Sequence, residues 1–125
     1  MPESCVFCTL PEDRVVDEND HFIVIRDDFP VTEFHSLVIS KRHIPSYFEL
    51  SKQELESLNA LLALQRKMLL GADAKITGFN VGVNDGVTAG QTIFHLHVHL
   101  IPRRDGDVEA PRGGVRGVIP ARQSY

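Results

Sequence analysis

With 125 residues, 42% of them hydrophobic and 24% charged, the chain has the composition of one globular domain around one core, with no room for a second catalytic domain. A formal net charge of -4 gives no basic footprint for nucleic acid, so a polyanionic substrate would have to be held by local donors. The start Met1-Pro2-Glu3 carries no basic-then-apolar leader and no stretch reaches the length of a membrane span, so the expectation is a soluble cytoplasmic protein that engages neither membrane nor nucleic acid.

In chain order, Cys5-Val6-Phe7-Cys8-Thr9-Leu10-Pro11 interleaves two thiols with apolar side chains and reads as a short clip docked on the domain. Its C-x-x-C spacing in an intracellular setting points to metal or redox chemistry sooner than to a structural disulfide. Val15 and Val16 give a brief strand, Asn19-Asp20 a turn, and His21 to Arg26 (HFIVIR) a β-branched and aromatic run typical of a buried strand. Pro30 cannot donate to a ladder and disfavours helix at Phe29, so the chain leaves the sheet at Asp27-Asp28-Phe29-Pro30, exposing both carboxylates near the strand end. A second apolar strand, His35 to Ser40, ends in the basic Lys41-Arg42-His43.

Ser51 and Glu54 form an S-x-x-E capping box, and Leu50 is placed to staple onto Leu55. Leu55, Leu58, Leu61, Leu62, Met68 and Leu69 recur at helical spacing and Gly71 follows as terminator, which predicts one amphipathic core helix from about Lys52 to Leu70. Gly78 to Val83 alternates as a third long strand, with Phe79, Val81 and Val83 on one face and Asn80, Gly82 and Asn84 on the other. The turn-rich loop Asn84 to Thr92 can aim backbone N–H groups at an anion, with Gln91 and Thr92 adding side-chain donors.

That loop leads into His95-Leu96-His97-Val98-His99-Leu100-Ile101. Strict alternation is the period of a half-buried strand, so Leu96, Val98 and Leu100 should enter the core and the three histidines one common cleft. Three imidazoles in register crowd groups that titrate near neutrality, which calls for a chemical role. A three-histidine zinc site is one such role; nucleophilic attack on phosphorus by a neutral imidazole is the other. A hydrolytic zinc wants a nearby carboxylate base, whereas Gly90-Gln91-Thr92 offers neutral donors suited to phosphate oxygens, and this favours the nucleophile. The tail from Arg103 to Tyr125 mixes Gly113-Gly114, Gly117, prolines and arginines and is expected to be irregular.

The run from Ala89 to Arg103 resembles the signature of the histidine triad superfamily of nucleotide hydrolases and transferases. Asp27 to His43 resembles its ribose-contacting strand end and second histidine segment, and Cys5-Val6-Phe7-Cys8 the clip of its zinc-bearing members. The resemblance covers most of residues 5 to 105. It implies an α+β fold, an antiparallel sheet of about five strands with one long helix, in a single domain of residues 1–125 with a core over 5–105 and an irregular tail over 106–125. Two protomers usually join their sheets, so a homodimer is expected.

By the same resemblance His97 is the nucleophile on the α-phosphorus, with His99 and His35 flanking it and Gln91 holding phosphoryl oxygens. Gly90, Thr92 and Asn84 support the phosphate pocket, Asp27 accepts ribose hydroxyls, and Val6, Phe7 and Leu10 form part of an apolar slot for the base. Cys5, Cys8, His43 and His95 would close a structural zinc tetrahedron, and no catalytic cofactor is required. The segment Ile101 to Asp107 is more similar to the dinucleoside polyphosphate hydrolase branch than to the phosphoramidate hydrolase branch. This implies cleavage of substrates such as diadenosine tetraphosphate, with phosphoramidate hydrolysis or nucleotidyl transfer as the near alternative. A nucleotide-binding regulator and a metal-binding module using His97 and His99 are the readings from other classes. Ser40 stands where the family often has proline, and Glu33-Phe34 replaces its common proline-glycine before His35.

Overall fold

The computed structural model describes residues 4–125. Met1, Pro2 and Glu3, and with them the expectation about a leader, lie outside the described residues. Val15 and Val16 open β1 (Val15–Glu18). Asn19 then turns the chain, its Oδ1 accepting the backbone N–H groups of His21 and Phe22, into β2 (Phe22–Arg26). After the Asp27–Pro30 exit come β3 (Ser36–Ser40), helix α1 (Lys52–Ala72), β4 (Ile76–Gly82) and β5 (His97–Arg104). The strands form one antiparallel sheet in the order β1-β2-β3-β5-β4. This is the expected α+β arrangement of one helix and five strands.

Register sorts the side chains onto two faces. Val24, Val38 and Val98 are successive cross-strand partners, and they pack with Phe22, Leu58, Leu61 and Leu96 under α1. Ile25 pairs with Leu37, and Leu37 with His99, on the opposite face. There Ile25, Leu37 and Ile39 are covered by Phe7, Leu10 and Val15, so the cysteine segment is a clip lying across the sheet. Covered on both faces, every residue of β3 is buried.

The α1 start is the expected capping box: Ser51 Oγ accepts the Glu54 N–H (3.1 Å) and the Glu54 carboxylate accepts the Ser51 N–H (2.9 Å). Glu54 also takes two N–H groups of Arg42 at 3.0 and 2.8 Å, which ties the segment before His43 to the helix. The Arg42 hydrogen bond, with help from Ser51, pulls the Glu54 carboxyl down to about 2 from an ordinary 4.5. A depressed acid stabilises the fold fully above its unfolded value and loses that contribution as pH falls through the folded one. Glu54→Gln should therefore cost about 2 kcal/mol near neutral pH in chemical denaturation. The gap to wild type should close as pH falls from about 4.5 toward 2, and a gap independent of pH would contradict this role.

The helix departs from expectation at three places. Gly71 does not terminate it; the helix runs to Ala72, and Asp73 ends it because its carboxylate is held by the Lys75 N–H and by Arg104 of β5, a contact between distant segments. Met68, expected in the buried stripe, is 47% exposed. Gln65 is fully buried instead, its Nε2 donating to Asp17 (2.9 Å) and its Oε1 accepting from Arg26 (2.9 Å), whose guanidinium also reaches Ser36. Among the described residues, no buried side-chain nitrogen or oxygen lacks a partner.

Two strands differ as well. On edge strand β4, Val81 is 48% exposed, while Phe79 and, just past the strand's end, Val83 pack inward as expected. Strand β5 begins at His97, leaving His95 and Leu96 in the approach to it, and extends through Arg104 into the expected tail. The tail is closed by its own polar contacts. Arg103 bonds Asp107 and Asn80; Gln123 reaches the Ala110 and Arg112 carbonyls; Arg116 bonds the Arg122 carbonyl. Gly113 (φ 83°) is required there, since a Cβ would overlap the Gln123 carbonyl oxygen. Among the described residues, no helix is long and apolar enough to cross a membrane.

Candidate active site and metal centre

Alternation in β5 places His97 and His99 on the clip face, with Val98 and Leu100 buried beneath α1 and its neighbours. The protonation pattern of the imidazoles follows from partners that can act in only one sense. The Val31 backbone N–H donates to His35 Nδ1 (3.0 Å), so the proton of neutral His35 sits on Nε2. That N–H donates to His99 Nδ1 (2.9 Å), which leaves the His99 proton on Nε2. His97 Nδ1–H donates to the His95 carbonyl (2.8 Å), which leaves Nε2 of His97 with a free lone pair. His95 Nε2–H donates to the Ser40 carbonyl (2.6 Å), freeing its Nδ1 as a ligand atom.

Asp27 stands at the same point. Its Oδ1 accepts the Phe29 N–H (2.9 Å), closing the turn out of β2, and its Oδ2 lies 3.4 Å from His35 Nε2. Burial lowers His35 against the raising pull of Asp27. Burial, with His97 and His35 adding to it and Asp27 opposing, pushes His99 down to about 4. At neutral pH His35 and His99 are therefore uncharged, and Asp27 acts on the His35–His99 pair through its nearby negative charge while the His35 Nε2–H is given to His99. In a ring-carbon NMR titration His99 should hold neutral-ring shifts from about pH 8 to 5 and protonate only as pH approaches 4; a midpoint near the ordinary value of about 6.5 would contradict this environment. Asp27→Asn should lower both His35 and His99 further.

The backbone entering this centre is strained. Phe34, where the resemblance expects glycine, adopts φ 72°, a left-handed conformation costing a non-glycine residue about 1 kcal/mol. Its ring packs beside Leu69, Ile76 and Leu100, with the Arg26 guanidinium 6.0 Å above it.

Among the described residues, two sets of side chains could hold a metal: Cys5, Cys8, His43 and His95, and Asp27, His35 and His99. In the first, the separations are 3.1 Å from Cys8 Sγ to His43 Nδ1, 3.4 Å from Cys8 Sγ and 3.5 Å from Cys5 Sγ to His95 Nδ1, and 3.1 Å between the two Nδ1 atoms. These are near the edges, roughly 3.3–3.8 Å, of a tetrahedron with zinc's usual bond lengths. His95 offers its lone pair inward and anchors its other nitrogen on a carbonyl, as a metal-bound imidazole commonly does. Slight burial and the Cys5 thiol beside it hold Cys8 above the ordinary thiol range, a cost that a cation between them would remove. The donor set therefore fits a closed structural metal. The second set does not, because the Val31 N–H fixes the His35 proton on Nε2, the atom that would have to ligate.

A cleft of about 510 Å³ opens on this face. It brings together His97, His99, Asp27, Val6, Phe7 and Leu10 of the expected site residues. His35 lies behind His99, buried. Gln91 is not brought in: its Nε2 donates to the Pro45 and Ile93 carbonyls and its Oε1 accepts the Gly86 N–H, so it organises the loop from within. Thr92 lines a neighbouring hollow with Cys5 and His43, Asn84 is outside the cleft lining, and Gly90 (φ 97°) closes a short 3-10 turn. Arg14, Ile25, Leu37 and Ile93 line the cleft unforeseen. Ile93 was legible, since it shares the parity of His95, His97 and His99; Ile25 and Leu37 enter by strand register, and Arg14 carries no sequence signal.

The HIT domain family model matches residues 10–106. A HIT-like protein of Mycoplasma genitalium is 36% identical over 104 residues, 80% of this chain and 73% of that protein. Among solved structures, a Zn-bound histidine triad family protein from Mycobacterium smegmatis is similar with a TM-score of 0.77 and 31% identity, over 88% of this chain and 82% of that one. The Plasmodium falciparum diadenosine triphosphate hydrolase, solved with Cyclomarin A, gives a TM-score of 0.70 and 26% identity over 81% of this chain and 68% of that one. The match takes in the His35 segment and the histidine strand, and the chain belongs to the HIT domain family.

Proposed function

We propose that this protein is a nucleotide hydrolase that cleaves dinucleoside polyphosphates at the α-phosphate through a nucleotidyl-His97 intermediate. The observation that carries this reading is the free Nε2 lone pair of His97, set in the cleft beside the neutral Nε2–H donor of His99. In the first step His97 Nε2 attacks the α-phosphorus, the N–P bond forms, and the bond to the leaving polyphosphate oxygen breaks. The ring gains positive charge as it does so, and its Nδ1–H bond to the His95 carbonyl strengthens with that charge. His99 Nε2–H donates to a phosphoryl oxygen, in a tautomer fixed by His35. Water then attacks the phosphorus, the O–P bond forms as the N–P bond breaks, the water's proton passes to solvent, and the nucleoside monophosphate leaves with the neutral imidazole restored.

Asp27 at the cleft wall suits ribose hydroxyls, and Val6, Phe7 and Leu10 suit a base. Gly90, Thr92 and Asn84 are proposed to serve the phosphates from the loop beside the cleft, and Gln91 to act by shaping that loop from within. The structural metal is zinc on Cys5, Cys8, His43 and His95, supported by the donor set and by the zinc-bound relative; it ties the clip to the sheet and takes no chemical step. The reading includes a cytoplasmic location and a homodimer, and the edge position of β4 with half-exposed Val81, Leu64 and Met68 supports the homodimer. Incubation with diadenosine tetraphosphate, a rapid quench and mass spectrometry test the reaction: a nucleotidyl adduct on His97 with released nucleotides is expected, and binding without either product or adduct refutes it.

A further inference from the structure

The cleft has a far end that phosphoryl transfer does not use. His99, Leu37, Ile25 and Val15 are partners in successive strand pairs, so they form one row across β5, β3, β2 and β1. With neighbouring strands about 4.8 Å apart, the β1 end lies roughly 14 Å from His99. A phosphate at His97 and a ribose at Asp27 leave part of that span to a base. Ile25 and Leu37 provide its floor, Phe7, Leu10 and Ile93 its sides, and the lining ends at Arg14, the residue before β1.

Arg14 is a half-buried cation, 31% exposed, at the end of an apolar slot. Its Nη2 donates to the Arg26 carbonyl (3.2 Å) and meets the Asp28 carboxylate at 3.1 Å. Nε and Nη1 have no partner among the described residues. The guanidinium is thus anchored through one nitrogen and keeps donors, and only donors, for whatever occupies the slot.

We propose, on the reading that this cleft holds a nucleotide, that Arg14 reads the outer edge of the base and selects a 6-oxopurine, guanine or hypoxanthine, over adenine. Guanine presents O6 and N7 as adjacent acceptors, whereas adenine places an amino donor at the position of O6 and sets donor against donor. Asp28 holds the cation at the slot and keeps it from swinging into solvent. A purely structural Arg14, pinning β1 to the end of β2, would change stability and all nucleotide affinities together and leave their ratio alone.

Isothermal titration of the full-length protein with GMP and with AMP reads that ratio. Wild type should bind GMP about tenfold more tightly. Arg14→Met should bring the ratio to about one. Should that variant fail to fold, Arg14→Gln replaces it with the same expectation, because a carboxamide carries both a donor and an acceptor and serves either base. Equal affinities in wild type, or a preference that survives both substitutions, overturns the assignment. Failure of both nucleotides to bind overturns the nucleotide reading and Arg14 with it. Equal binding with diadenosine tetraphosphate still cleaved overturns the Arg14 assignment alone.

Discussion

His97→Asn should lose on the order of 10⁴-fold or more in kcat on diadenosine tetraphosphate while keeping nucleotide affinity within a few-fold, the pattern expected when a nucleophile is removed and the binding surface remains. The asymmetry follows from what each group touches. His97 offers one lone pair to the reaction, but the cleft walls come from the clip, β2 and β3, which do not depend on it. His99→Asn and His35→Asn should lose less, about 10²–10³-fold, because each removes a donor or its orienter and leaves the attacking nitrogen in place. Single-turnover quench measurements with nucleotide binding on the same samples separate the effects. Residual turnover of His97→Asn within about 10² of wild type would show that another group attacks phosphorus.

Alternation made the parity of the histidines legible, while their inequality was legible only through the family resemblance, which set His95 with the cysteines and His97 and His99 apart from it. Alternation put His95, His97 and His99 on one side of a strand, and the structure keeps that parity for His97 and His99. It could not say that His95 precedes the ladder and turns its Nδ1 toward two cysteines 87 and 90 positions away, since that depends on how the clip returns across the sheet. The capping box was legible for the same reason that it works: its partners are three residues apart. Gln65 was not, because its burial depends on Asp17 and Arg26 meeting it from two strands, a satisfaction that helical periodicity scores as a polar interruption. Gln91 shows the converse. Its neighbours in sequence suggested phosphate binding, but its amide closes on carbonyls supplied by the fold.

Removing the metal should show how far the clip is part of the site. Zinc on Cys5, Cys8, His43 and His95 would fix the segment whose Phe7 ring stands edge-on to His95 and His97, centroids 6.0 and 5.0 Å away, and whose Leu10 covers Ile25, Leu37 and Ile39. Elemental analysis should find about one zinc per chain in wild type and little in Cys5→Ser or Cys8→Ser, because a structural site that loses a thiolate loses its closed tetrahedron. Neither cysteine belongs to the hydrophobic clusters of the core, so the variants should fold, with a melting temperature lower by roughly 10 °C, equivalent to a few kcal/mol. With the clip released, the base slot loses the wall formed by Phe7 and Leu10 but His97 keeps its bond to the His95 carbonyl. KM should therefore rise about tenfold while kcat changes by less than about threefold. Full zinc occupancy in Cys5→Ser would remove this residue set as the metal centre. Loss of zinc with a fall in kcat and an unchanged KM would instead show that the metal steadies the His95–His97 backbone, so that the clip's influence reaches the nucleophile through its carbonyl partner.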